Sequence, residues 1–324
     1  MKAVLCTRFG GPADLEFADL PDPRPEAGQA VVAVRAAALN FFDTLLIAGK
    51  YQAKPPFPFS PAAELAGVVE AVAADVTNVK VGDRVIAHPG HGAARQRLAI
   101  AADQLTKIPD ALDFDRAAGL TVTYGTSYHA LKDRAELKAG ETLAVLGASG
   151  GVGLAAVELG KQMGAHVIAC ASSPEKLAFA RERGADAVIN YAAENLRDAL
   201  RERTGGKGVD VIYDPVGGAY AESALRAMAW GGRFLVIGFA AGEIPKIPLN
   251  LPLLKSCDIR GVFWGEWTRR FPEAHQANMR DLMEWTAAGR LSAHVHAVFP
   301  LAETARALEV FSSRRVMGKV LLRP

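Results

Sequence analysis

A chain of 324 residues is more than one hydrophobic core usually serves, because single cores stop growing at about 250–300 residues, so two domains are expected. Half the residues are hydrophobic and 22% are charged, ordinary proportions for a folded protein. The formal net charge of +2, with Lys and Arg spread along the chain, argues against a nucleic-acid partner. No apolar run reaches membrane-spanning length, and Met1-Lys2-Ala3-Val4-Leu5 lacks a signal peptide's apolar stretch. Cys6, Cys170 and Cys257 are too scattered for a disulfide framework or a zinc ribbon, so a reducing cytoplasm is the expected location.

From Met1 to about Leu120 the chain reads as short strands broken by turns. Ala30–Val34 and Gly67–Val72 are predicted strands, Pro21, Pro23, Pro25 and Gly28 interrupt the segment before the first, and Val81–Ile86 is a turn feeding another. This spacing predicts a small β barrel or sandwich. From about Tyr124 to Cys257 strands alternate with helices. The predicted strands are Thr142–Leu146, His166–Ala169, Ala187–Asn190, Val209–Tyr213 and Arg233–Ile237, with a helix from about Gly151 to Met163. Another helix is capped by Ser173, has Pro174 in its first turn and is closed by Gly184. Strict alternation predicts a doubly wound parallel sheet, an α/β Rossmann unit. After Asp258 a strand-like piece, helices around Glu273–Ala288 and Ala302–Phe311 and a last strand, Gly318–Leu322, remain. That strand is too isolated for a sheet of its own and is returned to the N-terminal barrel. The domains are therefore 1–122 with 259–324, and 123–258.

The most informative segment is Leu146-Gly147-Ala148-Ser149-Gly150-Gly151-Val152-Gly153. Ala148, Gly150 and Gly153 read as A-x-G-x-x-G after a strand and at a helix start. The first small residue permits the tight turn, the second lets backbone approach a pyrophosphate, and the third lets helix pack on strand. Helix N-terminal amides then face the phosphate charge. The next strand ends in Cys170-Ala171-Ser172-Ser173-Pro174-Glu175-Lys176, without the Asp or Glu that holds the ribose hydroxyls of NAD. Ser172 and Lys176 stand where an added phosphate needs donors, so NADPH is the predicted cofactor. Tyr191 lies either beside that phosphate or on the surface, half-buried.

Together with Ala38–Asp43, Val81–Val85, Leu120–Tyr124, Asp214–Gly218 and Gly318–Val320, this loop resembles the medium-chain dehydrogenase/reductase superfamily, and within it the zinc-independent quinone oxidoreductases. The resemblance implies a discontinuous GroES-like barrel split around the Rossmann domain. In the zinc-dependent branch a Cys stands at the position of Asn40 and a His at that of Ala63; with only Glu64 left, no catalytic zinc site is expected, and His88 and His91 are read as loop histidines. Without a Lewis acid, acceptors that spread the hydride's charge themselves are favoured: quinones and α,β-unsaturated carbonyls.

By the same resemblance Asn40 and Asp43 belong in the catalytic cleft. Tyr51 is either a proton donor or oxyanion partner, or a pocket wall, and Leu45 makes the pocket more apolar than in relatives with tyrosine there. Thr121 and Tyr124 match positions near the nicotinamide. Val216, Gly217, Gly238, Phe239, Ala240, Phe263, Trp264 and Lys319 match further cofactor contacts, with Phe263 and Trp264 also candidates for the substrate pocket. The alternatives are a 2-enoyl thioester reductase and a non-catalytic NADPH-binding protein such as a redox sensor, a lens-type structural protein or an AU-rich RNA binder. The family also implies a homodimer joined through the segment around Leu249–Val262.

Overall fold

In the computed structural model, which describes all 324 residues, the apolar run beginning at Ala30 becomes an eleven-residue strand, Gln29–Leu39, in which only Arg35 is exposed. Small and β-branched side chains suit such double-sided burial. One edge of this strand pairs along its length with Glu64–Val72. The other edge changes partner halfway: Arg97–Ala101 takes its first half and Lys319–Arg323 its second. A long strand that switches neighbours and carries register shifts, here at Val31/Val32 and Val34/Ala36, forms the corner of a bent sheet. The rest of the seven-stranded sheet is Val295–Pro300, Arg84–Ala87 and Thr106–Lys107, and every pairing is antiparallel except that of Val295–Pro300 with Lys319–Arg323. The last strand thus lies in the N-terminal sheet. At Gly67 a Cβ would come 2.2 Å from the Ala33 carbonyl oxygen, so glycine is required where the two bulged strands approach.

The second unit is a six-stranded parallel sheet in the order Ala187–Asn190, His166–Ala171, Thr142–Leu146, Val209–Asp214, Met228–Val236, Asp258–Gly261. The central strand is wholly apolar from Leu143 to Leu146 and has no exposed residue, as expected for a strand covered on both faces. Chain order reverses between Thr142–Leu146 and Val209–Asp214, which places a ligand crevice at the carboxyl ends of these strands. Gly151–Gln162 follows the first strand, and Pro174–Glu182 follows the second with the Ser173 hydroxyl accepting from Lys176 N–H.

Two further boundaries move. The fifth strand starts at Met228 rather than Arg233, because a register shift lets Ala229–Gly232 bulge out with Trp230 exposed. The compact units are 1–122 with 279–324, and 123–278, so the break at 258 is corrected to 278. Its physical cause is Asp258–Gly261, which pairs as the sixth parallel strand, followed by Trp264, whose indole packs on Gly125.

Gly67→Ala should destabilise the protein by about 1–3 kcal/mol, the usual cost of forcing extra volume into a packed site. Urea denaturation checks this, and an unchanged midpoint would show that the strands yield without cost.

Candidate active site

The glycine loop is shaped for a dinucleotide. A Cβ on Gly153 would sit 2.2 Å from the Gly147 carbonyl oxygen, so only glycine lets the helix Gly151–Gln162 pack this close to the strand end. At Gly150 the nearest protein atom to an added Cβ is 3.5 Å away, which leaves the outer side of the turn clear for a phosphate. Gly147 has φ +59, and the Ala148 N–H is fixed by the Cys170 carbonyl. Ala148 and Ser149 are buried. The first-turn amides, among them Gly151 and Val152, have no helical carbonyl ahead of them and are available to an anion. These residues fit a pyrophosphate.

At the end of the next strand Lys176 Nζ donates to Ser172 Oγ at 3.3 Å. Tyr191 N–H donates to the Ala171 carbonyl, and its ring lies 4.4 Å from that of Tyr220. Serine, lysine and tyrosine therefore converge at one corner of the sheet, although 15 residues separate Lys176 from Tyr191 in sequence.

Farther along the edge, buried Asp214 organises the loops. Its Oδ1 accepts from Val216 and Gly217 N–H at 2.8 and 2.9 Å, and its carbonyl accepts from Gly238. Ala240 N–H goes to the Pro215 carbonyl and Phe239 is partly exposed. Burial raises the Asp214 pKa, against the pull of the two amides. This carboxylate positions the loops and was not singled out from the sequence; an acid at a strand end ahead of Pro-x-Gly-Gly was its signal.

Two neighbouring candidates are buried, and one needs correction. Tyr124 is 2% exposed, and its hydroxyl donates to Glu158 Oε2 at 2.9 Å, so its hydroxyl anchors a helix. Trp264 is buried over Gly125, where a Cβ would meet the indole at 2.8 Å, so it is core. Phe263 is 62% exposed.

In the first unit the polar candidates form one buried cluster around Glu64, itself fully buried. Glu64 Oε1 accepts from Asn40 Nδ2 at 2.9 Å and from Lys319 Nζ at 2.6 Å, while Oε2 accepts from Val122 N–H at 2.7 Å. Lys319 also donates to Asn40 Oδ1 at 2.6 Å. The ammonium is 3% exposed, with two of its three hydrogens on these partners. The amide of Asn40 is thereby oriented, with one Nδ2 hydrogen left to a ligand. Thr121, also buried, has a hydroxyl with no hydrogen-bond partner, a vacant polar atom of the kind a bound group satisfies.

Asp43 is corrected from a catalytic to a positioning residue. It has no exposed surface; Oδ2 accepts from Asn40 N–H at 2.7 Å and Oδ1 from Ala62 N–H at 3.0 Å. It thus starts the helix Phe41–Ile47 and holds Ala62 at φ 65, a strained left-handed conformation for alanine. Burial raises its pKa to about 7, outweighing the amides and Lys319, with Glu64 adding to the rise. Tyr51 stacks on Phe42 at 5.1 Å, and burial, then the charge of Asp43, raise its pKa. His88 is pushed down to about 4 by burial and then by Lys319. No group of three or more His, Cys, Asp or Glu side chains is arranged to hold a metal ion.

A glycine cradle at the switch point of a parallel sheet, joined in one chain to a bent antiparallel sheet with a buried polar cluster, defines a dinucleotide-dependent oxidoreductase. Residues 26–110 match the alcohol dehydrogenase GroES-like domain, and residues 151–280 match the zinc-binding dehydrogenase family. The chain is 37% identical to quinone oxidoreductase-like protein 2 homolog of Nematostella vectensis, over 99% of this chain and 88% of that one. It is 35% identical to quinone oxidoreductase of Pseudomonas aeruginosa, over 100% and 99%. The structure of Escherichia coli quinone oxidoreductase complexed with NADPH superposes with a TM-score of 0.94 at 30% identity, covering 100% of both chains. The chain belongs to the quinone oxidoreductase branch of the medium-chain dehydrogenase/reductase superfamily, and is a quinone oxidoreductase-like enzyme.

A carboxyl group with its folded pKa raised above the unfolded value binds extra protons in the native state, so its contribution to stability is present below about pH 4 and is lost as pH rises through about 7. NMR of aspartate labelled with 13C at Cγ should show one carboxyl titrating near 7 that is missing in Asp43→Asn. Titration of every carboxyl below pH 5 would refute the assignment.

Proposed function

We propose that the protein is an NADPH-dependent, zinc-free reductase of quinones or related α,β-unsaturated carbonyls. One observation carries the zinc-free reading: Lys319 Nζ lies 2.6 Å from both Asn40 and Glu64. A buried ammonium there neutralises Glu64 and repels a second cation, since Coulomb interactions are little screened in a buried site. Without a Lewis acid, the acceptor itself must delocalise the negative charge, and quinones and conjugated carbonyls do so.

The residues that would hold NADPH are the 148–153 turn for the pyrophosphate, Ser172, Lys176 and Tyr191 for the additional phosphate, and the loops at Val216–Gly217 and Gly238–Ala240, with Thr121 as a free hydroxyl. When bound, the nicotinamide supplies the hydride. The chain's own part is to bind, orient and protonate. Asn40, fixed by Glu64 and Lys319, offers an N–H to a developing oxyanion. Tyr51, like any tyrosine, is protonated at neutral pH, and burial raises its pKa further, so it holds a proton to give. That same proton would serve a 2-enoyl thioester, the second reading.

The reading also includes a cytoplasmic homodimer. Asp258–Gly261 ends the parallel sheet with its outer edge unpaired. Leu249, Leu253, Leu254 and Ile259 nearby are 80, 76, 67 and 41% exposed. Open strand edges and clustered apolar side chains are features that subunit contacts cover.

NADPH oxidation by the purified protein, with 1,4-benzoquinone, an enone and crotonyl-CoA in parallel, tests the activity. Turnover with quinone or enone is expected; preference for crotonyl-CoA would favour the thioester reading, and binding without turnover would refute both. Lys176→Ala should weaken NADPH about tenfold or more while leaving NADH nearly unchanged, because charge-assisted bonds to phosphate are strong. Equal weakening of the two cofactors would overturn the phosphate assignment.

A further inference from the structure

One half-buried cation in the first unit has no carboxylate beside it. Arg95, which bridges to Ala3, donates from Nη2 to Ser60 Oγ at 2.9 Å, and Ser60 is fully buried. The Arg95 Nε is sealed from solvent with no acceptor. Arg97, two residues on, pairs with Glu70 and Asp22, whereas Arg95 has no carboxylate. Burial alone pulls its pKa below the usual arginine range, yet a guanidinium stays charged in proteins. One neutral hydroxyl satisfies one of five donors, and a half-buried guanidinium with a sealed, unpaired Nε is a ready partner for an anion.

The surroundings of this guanidinium are aromatic. His91, whose pKa is lowered by burial and then by the charge of Arg95, meets Phe59 edge-on at 5.9 Å. Phe59 stacks on Phe57 at 5.7 Å, and Phe57 meets Phe9 at 4.7 Å. Phe9 and Phe57 are 41 and 42% exposed, so this aromatic row opens to solvent. The Phe9 ring covers Gly49, where a Cβ would come within 2.9 Å of it, two residues before Tyr51. At the inner end, Ser60 stands two residues before Ala62, whose N–H is held by Asp43.

We propose that Arg95 and Ser60 form a subsite for a carboxylate on the acceptor, so that the substrates are conjugated carbonyl compounds carrying an acidic group. The word acceptor rests on the reductase activity proposed above; the anion subsite rests on Arg95. In the reaction, hydride from NADPH adds to the β-carbon and a proton to the α-carbon. The C=C bond becomes single, NADP+ is released, and the carboxylate on Arg95 is unchanged.

The test compares 4-oxopent-2-enoate with pent-3-en-2-one, the same enone with and without the carboxylate, in wild type, Arg95→Lys, Arg95→Met and Ser60→Ala. The wild type should prefer the acid in kcat/KM. Arg95→Met should reduce that preference about tenfold or more through KM, as loss of a charge-assisted contact does, with Arg95→Lys intermediate and Ser60→Ala reducing it less. Removing this unpaired, half-buried charge should not lower Tm; a lower Tm with the preference intact would make Arg95 a structural residue and overturn the subsite. Titration calorimetry of 4-oxopent-2-enoate against NADPH-free protein separates the two proposals. Arg95-dependent binding without reduction of either enone would sink the reductase reading alone. Reduction of both enones with a preference indifferent to Arg95 would sink the subsite alone.

Discussion

The first unit depends on the buried pair of Glu64 and Lys319. Their strands lie on opposite sides of Gln29–Leu39, and their charges meet at 2.6 Å with almost no exposure. Buried ion pairs often add little net stability, but removing one partner leaves an uncompensated charge and costs about 3–5 kcal/mol. What this pair supplies is definition. Glu64 fills its remaining valences with Asn40 and the Val122 amide, and Lys319 takes the amide oxygen of Asn40. The asparagine therefore has one orientation, a prerequisite for stabilising charge without reorganisation.

Asp43 completes the same frame from the other side. Both of its oxygens hold backbone amides, one starting a helix and the other keeping Ala62 in a strained conformation. A carboxyl that titrates near neutrality and makes these two bonds is a structural group with a functional address. Strain of this kind persists where the surroundings over-determine it, and the two flanking residues, Ala63 and Glu64, carry the chain into the polar cluster.

Local signals made the second unit legible: the apolar strand Thr142–Leu146, the glycine turn, the Ser173-Pro174 helix start and the missing acid after Ala171. Each depends on neighbours within a few residues. Resemblance supplied the split barrel, and the sheet pairing of Lys319–Arg323 with Gln29–Leu39 agrees with it. What the sequence did not disclose were partnerships across long separations. Lys319 and Glu64 are 255 residues apart and no periodicity links them. Trp264 had a residue type suited to a ligand pocket, but it packs on Gly125 in the core, and the Tyr124 hydroxyl is taken by Glu158. The boundary at 258 failed because a four-residue edge strand gives too short a pattern to show which sheet it joins. Arg95 and Ser60 were silent for the same reason: 35 residues separate them, and only the fold reveals that one has no carboxylate.

The central claim is that an ammonium group, in place of a metal ion, neutralises Glu64 and orients Asn40 for reduction of a conjugated acceptor. The most direct measurement is NADPH-dependent turnover of 1,4-benzoquinone by protein dialysed against a chelator, with zinc per chain determined by mass spectrometry on the same samples. The account predicts full turnover at negligible zinc content. One tightly held zinc per chain, with turnover lost on its removal and regained on its return, would contradict it.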